Sequence, residues 1–168
     1  MPGRHEADGL PATYIHGACI AQAAGTPWSS VTFVPSAGRP GANHPIVELA
    51  RSVYGNNHRD SRVVLNSGPG ITDTQRRVRE DRFELPRHFR HRIADGHVLI
   101  VEDTWVSGAK LQSAAIALKL AGAATVTALC VARWCDSRMP EHRNLLDAHE
   151  SPYNAILCPV TGGTCPGD

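Results

Sequence analysis

The chain has 168 residues and a formal net charge of +1 at pH 7, with 17 Lys plus Arg against 16 Asp plus Glu. That length suits one domain burying about 70% of its unfolded surface, and the near-neutral balance leaves local charge to decide for or against a nucleic-acid partner. No 18-residue apolar run exists to span a membrane and no basic-then-apolar leader opens the chain, so a cytoplasmic location is expected; five cysteines, an odd number, disfavour a disulfide framework.

Residues 1–30 form a poorly assigned N-terminal segment. Met1 to Leu10 is polar without periodicity and is expected to fray, while Thr13 to Ala24 reads as a short helix of small residues in which Cys19 packs. Val31 to Val34 is the first strand, ended by Pro35, and the loop Ser36 to Gly41 that follows places Arg39 at the carboxyl edge of a parallel sheet. Pro45 to Tyr54 reads as a helix, with Ile46, Leu49, Ala50 and Val53 as its apolar face. Val63 to Leu65 reads as a second strand.

Gly68 to Arg92 is the strongest charge feature, setting Arg76, Arg77, Arg79, Arg82, Arg87, Arg90 and Arg92 against Glu80, Asp81 and Glu84, with Phe83 and Phe89 interleaved. Three readings stand: a flexible arginine segment closing over a phosphate group, a track for single-stranded nucleic acid, or a solvated helix and loop. His88, His91 and His97 show no i,i+4 pair and are expected at the surface.

The most informative stretch runs from His97 to Gly122. Val98-Leu99-Ile100-Val101 suits a strand buried on both faces, and Glu102 and Asp103 follow at the edge where open α/β sheets place ligands. Thr104 to Lys110 is a turn with Ser107, Gly108 and Ala109. A helix with Leu111, Ala115 and Leu118 on one face then runs to a stop at Gly122. Backbone N–H groups at that helix start favour an anion. Two carboxylates beside a phosphate would repel it unless they hold ribose hydroxyls or face a divalent cation, so the pair implies a sugar phosphate with magnesium.

Thr125 to Val131 is a further buried strand, after which Trp134 is placed either to stack on a base or to plug the core. Beyond it, Glu141 to His149 reads as a helix. Cys158 and Cys165 then flank a Gly-Gly turn, and with Cys135 they are candidate zinc ligands, although no usual two-residue spacing is present. A redox-labile disulfide and unpaired thiols are the alternatives.

The run Val98 to Lys110, VLIVEDTWVSGAK, resembles the phosphoribosyl-pyrophosphate (PRPP) signature of type I phosphoribosyltransferases: four apolar residues, two acids, three variable positions, Thr or Ser, Gly, any residue, Thr or Ser. Only Lys110 departs from it. The chain also looks like the competence protein ComF branch, in Arg39-Pro40-Gly41 followed by Leu49-Ala50-Arg51, in Thr72-Asp73-Thr74-Gln75, and in Arg79 to Phe83.

The resemblance covers residues 31–133. It implies one α/β domain, a mostly parallel sheet with helices on both faces, followed by a 134–168 extension packed on the same domain. It implies an enzyme that binds PRPP with Mg²⁺ and transfers the phosphoribosyl group to a nucleobase or amine. Glu102 and Asp103 would hold the ribose hydroxyls, directly or through Mg²⁺, with Asp103 also able to accept a proton. Thr104 and the loop Val106, Ser107, Gly108, Ala109 and Lys110 would wrap the 5-phosphate, and Arg39, Arg76 and Arg77 are candidates for the pyrophosphate. It permits a homodimer. The alternative is a non-catalytic PRPP-binding or single-stranded nucleic-acid handling protein.

Overall fold

The structure, a computed structural model, describes residues 9–36, 45–51, 53, 61–73, 75–148 and 154–165. Its elements in order are α1 (Gly9–Ala23), β1 (Ser30–Phe33), α2 (Pro45–Arg51), β2 (Asn66–Ser67), β3 (Phe83–Glu84), α3 (Arg90–Ile93), β4 (His97–Trp105), α4 (Ala109–Leu120), β5 (Thr125–Arg133) and α5 (Pro140–Asp147).

The unbroken apolar run Val98 to Val101 has a direct structural cause. Alternate side chains of a strand point to opposite faces, and here both faces are covered. Val98 and Ile100 pack with Leu111, Ala114, Ala117 and Leu118 of α4. Leu99 and Val101 pack with Ile46, Val47, Leu49 and Ala50 of α2. Each of the four strand residues is fully buried, which stabilises the fold by about 1.5–3 kcal/mol per side chain relative to exposure.

β4 is therefore the central strand of a three-stranded parallel sheet, ordered β1-β4-β5. The molecule is α/β, with helices on both faces of that sheet. Its β1 partner ends where Phe33 meets Val101, whereas β5 continues to pair as far as Trp105 opposite Arg133. Consequently β4 does not stop before the acids: Glu102 and Asp103 lie within the strand, beyond the end of β1.

Val63 to Leu65 does not form a ladder. Arg62 makes a single parallel bridge to Val31, and the Val63 N–H donates to the Val31 carbonyl at 3.1 Å. Val63 and Leu65 are buried beside β1 while Val64 is exposed, the alternation of an extended segment. The arginine-rich stretch is anchored: β2 and β3 pair antiparallel, with Phe83 and Leu85 in the α4-side core. Buried Phe83 offers no face for a nucleic-acid base.

His97 is buried rather than at the surface. Its Nδ1 donates to the Thr26 carbonyl at 2.7 Å, and its Nε2 accepts from the Thr127 hydroxyl at 2.9 Å. Among the described residues no helix is long and apolar enough to cross a membrane.

Candidate functional site

Past the end of β1, the Glu102–Asp103 edge of β4 opens into a cavity of about 620 Å³, within the range of about 300–1,000 Å³ usual for small-molecule sites. Glu102, Asp103, Thr104, Val106, Ser107, Gly108, Ala109 and Lys110 line one side of it. Ile71, Thr72, Asp73, Gln75, Arg76 and Arg82 line the other.

The loop side is shaped by Gly108. Its φ of +74° lies in the left-handed region that glycine occupies without a Cβ penalty, and a Cβ placed there would meet the Trp105 ring at 2.5 Å. Helix α4 starts directly after it, and the Ser107 hydroxyl accepts from the Ala109 N–H at 3.4 Å. The first intrahelical bond is the Gln112 N–H donating to the Gly108 carbonyl at 2.8 Å. The N–H groups before Gln112 thus lie outside the helical ladder, and the macrodipole makes this end a favourable place for negative charge.

The acid pair supplies the opposite sign. Glu102 is buried, and that burial, followed by the charge of Asp103, pushes its carboxyl up to about 7 despite the opposing charge of Lys110. Beside the pair, burial and then the charges of Glu102 and Asp103 push the Cys130 thiol up to about 12.

The facing wall is held by two arginines. Arg82 is buried, and its guanidinium donates to the Asp73 and Gln75 carbonyls at 3.3 and 3.1 Å, while its Nε is buried without a hydrogen-bond partner. Arg79 bridges Asp73 and Asp81 at 3.0 and 2.8 Å. The Gln75 backbone N–H and the Arg79 guanidinium hold the Asp73 carboxyl below its ordinary range. Ser113 ties this wall to α4, accepting from the Arg79 N–H at 2.9 Å and donating to the Ala109 carbonyl at 2.7 Å.

Eight residues from Glu102 to Lys110, expected together at one site, thus line one cavity. Arg76 lines it too, and its guanidinium lies 6.0 Å from the centre of the exposed Trp134 ring, so Trp134 is no core plug. Arg77 is exposed and does not line the cavity. Arg39 lies outside the described residues. Sequence reasoning did not select Asp73 or Arg82 as site residues, although both stood inside the Thr72–Gln75 and Arg79–Phe83 segments it compared with the ComF branch.

Of the zinc candidates, Cys158 and Cys165 come together, but with His16 and Cys19, and Cys135 is not in that group. The His16-x-x-Cys19 spacing was the available signal. All five cysteines are free. No protein-family model matches the sequence, and none of the curated proteins is significantly similar to it.

Proposed function

We propose that this chain binds PRPP together with Mg²⁺ and transfers its phosphoribosyl group to a nitrogen acceptor, a nucleobase or an amine, releasing pyrophosphate. The observation that carries this reading is that one cavity is lined both by the Glu102–Asp103 pair and by the loop at the N-terminus of α4. A sugar phosphate needs both: acceptors for its ribose hydroxyls and donors for its phosphate.

In this reading Asp103 and Glu102 accept hydrogen bonds from the ribose hydroxyls. The N–H groups around Gly108 and the Lys110 ammonium hold the 5-phosphate, Lys110 acting as a point charge where a hydroxyl would donate one hydrogen bond. Arg76 and Arg82, on the facing wall, offset the charge of the pyrophosphate. The bond from ribose C1 to the pyrophosphate oxygen breaks, its electron pair leaving with the pyrophosphate, a bond from C1 to the acceptor nitrogen forms, and the proton of that nitrogen passes to Asp103. Catalysis is then positioning and electrostatic stabilisation of the departing group.

The acid pair fits Mg²⁺ by its chemistry. Two neighbouring carboxylates offer hard oxygen donors, and a divalent cation would favour the charged form of Glu102, which burial first and the charge of Asp103 second disfavour. Magnesium, when bound, would neutralise phosphate charge beside the acids.

Trp134, exposed beyond β5 with Arg76 over its ring, is the platform offered to a planar acceptor. Pyrophosphate release, measured with PRPP, Mg²⁺ and a panel of bases and amines, tests the proposal. Release with one acceptor, with a raised KM for that acceptor in Trp134→Ala, is the expected result. PRPP binding without release for any acceptor would favour the non-catalytic alternative instead.

A further inference from the structure

Away from the cavity, His16 and Cys19 of α1 meet Cys158 and Cys165 of the C-terminal segment. One ligand atom from each lies within 4.8 Å of all the others. Three are buried and Cys165 is partly so, and 149 positions of sequence separate His16 from Cys165.

The local geometry prepares each group as a metal ligand. His16 sits at a kink in α1, with φ −116° and ψ 16°, and Cys19 follows three residues later on the same face. The His16 Nε2 lies 3.0 Å from the Ala155 carbonyl, which can only accept, so Nε2 carries the proton. Nδ1 is then left with its lone pair, directed at the Cys165 sulfur 3.1 Å away. On the other side, Gly162, with φ +74°, turns the chain between the two cysteines. The Cys158 N–H donates to the Gly163 carbonyl at 2.9 Å and the Gly162 N–H to the Cys158 carbonyl at 2.7 Å.

Among the described residues, this cluster lies outside the apolar clusters around the sheet. Among the described side chains, neither residues 15–23 of α1 nor residues 154–165 belong to the two apolar clusters around the sheet. The segment 154–165 contains no helix or strand and exposes Ile156, Leu157 and Val160, yet Cys158 is fully buried. Among the described side chains, apolar burial therefore does not explain why these two segments meet.

We propose that His16, Cys19, Cys158 and Cys165 form a closed structural zinc site that clasps α1 to the C-terminal segment. A tetrahedral ion with Zn–S of about 2.3 Å and Zn–N of about 2.0–2.1 Å separates its ligands by about 3.5–3.8 Å, so pairs up to 4.8 Å apart need to close by no more than about an ångström, while His16 Nδ1 and the Cys165 sulfur, 3.1 Å apart, need to open by about half an ångström. Three soft thiolates and one imidazole select zinc over magnesium or calcium, and four protein ligands leave no open position for catalysis. Binding exchanges thiol protons for Zn–S bonds, releasing up to three protons and leaving the site with a charge of −1.

The test is elemental analysis of the full chain purified without chelator, followed by zinc removal and titration with Co²⁺. One zinc per chain is expected, and the cobalt form should show thiolate charge-transfer and tetrahedral ligand-field bands. Cys19→Ser and Cys158→Ser should each lose the metal, while Cys135→Ser keeps it. Because a ligand variant can also misfold, limited proteolysis of the wild type provides a second readout: chelation should expose the C-terminal segment to cleavage, and added zinc should protect it again. Wild-type protein with neither zinc nor a cobalt spectrum, whether its thiols titrate as five free groups or its mass shows a disulfide, would overturn the proposal. Neither result bears on PRPP binding, since the cluster shares no residue with the cavity.

Discussion

Trp105, the last residue of β4, lies against Gly108 so closely that a Cβ on Gly108 would sit 2.5 Å from the indole ring. The same glycine holds a φ of +74°. Gly108→Ala therefore meets both backbone strain and overpacking, and a loss of about 2–4 kcal/mol is expected from urea unfolding. Trp105→Ala in the same chain should recover the steric part but not the backbone part. Full stability in Gly108→Ala alone would contradict this account of the loop.

Glu102 makes stability depend on pH in an unusual direction. Its carboxyl is raised from 4.5 to about 7 in the folded chain, first by burial and then by Asp103. Between those values the folded state holds a proton that the unfolded state has released. The contribution is full below the lower value and is lost as pH rises through the upper one, by roughly 1–3 kcal/mol. Glu102→Gln, which cannot ionise, should remove this slope and be the more stable protein at pH 8. Unfolding curves collected from pH 5 to pH 8 check it, and an unchanged slope in the variant would refute the assignment.

The arginines of residues 76–92 should separate by role. Arg82 is buried and holds the Asp73 and Gln75 carbonyls, so Arg82→Ala strands those acceptors and opens a cavity; a cost of about 2–4 kcal/mol is expected. Arg77 is exposed, and Arg77→Ala should stay within about 0.5 kcal/mol of wild type. Thermal unfolding of both variants tests the pair, and equal effects would mean that the wall is not held in this way.

These assignments show which features were legible in sequence. The β4–α4 unit was, because an unbroken apolar run, two acids and a glycine turn carry their own local reasons. The strand's end was not: β4 continues through Glu102 because β5 keeps pairing after β1 stops, a fact of tertiary register. His97 reads as a surface residue because its partners, Thr26 and Thr127, lie 71 and 30 positions away. The arginines look alike in sequence, and only folding divides Arg82 in the wall from Arg79 between two aspartates and Arg77 in solvent. His16 and Cys19 passed as ordinary helix residues for the same reason, their partners standing at the far end of the chain.

The most direct measurement of the central claim is calorimetric titration of PRPP into the wild type and into Asp103→Asn, each with and without Mg²⁺. The account predicts magnesium-dependent binding to the wild type, tightening from pH 6 to pH 8 as Glu102 ionises, and a loss of at least about tenfold in affinity in the variant, or about 1.4 kcal/mol. Absence of PRPP binding to folded wild type in the presence of Mg²⁺ would contradict it.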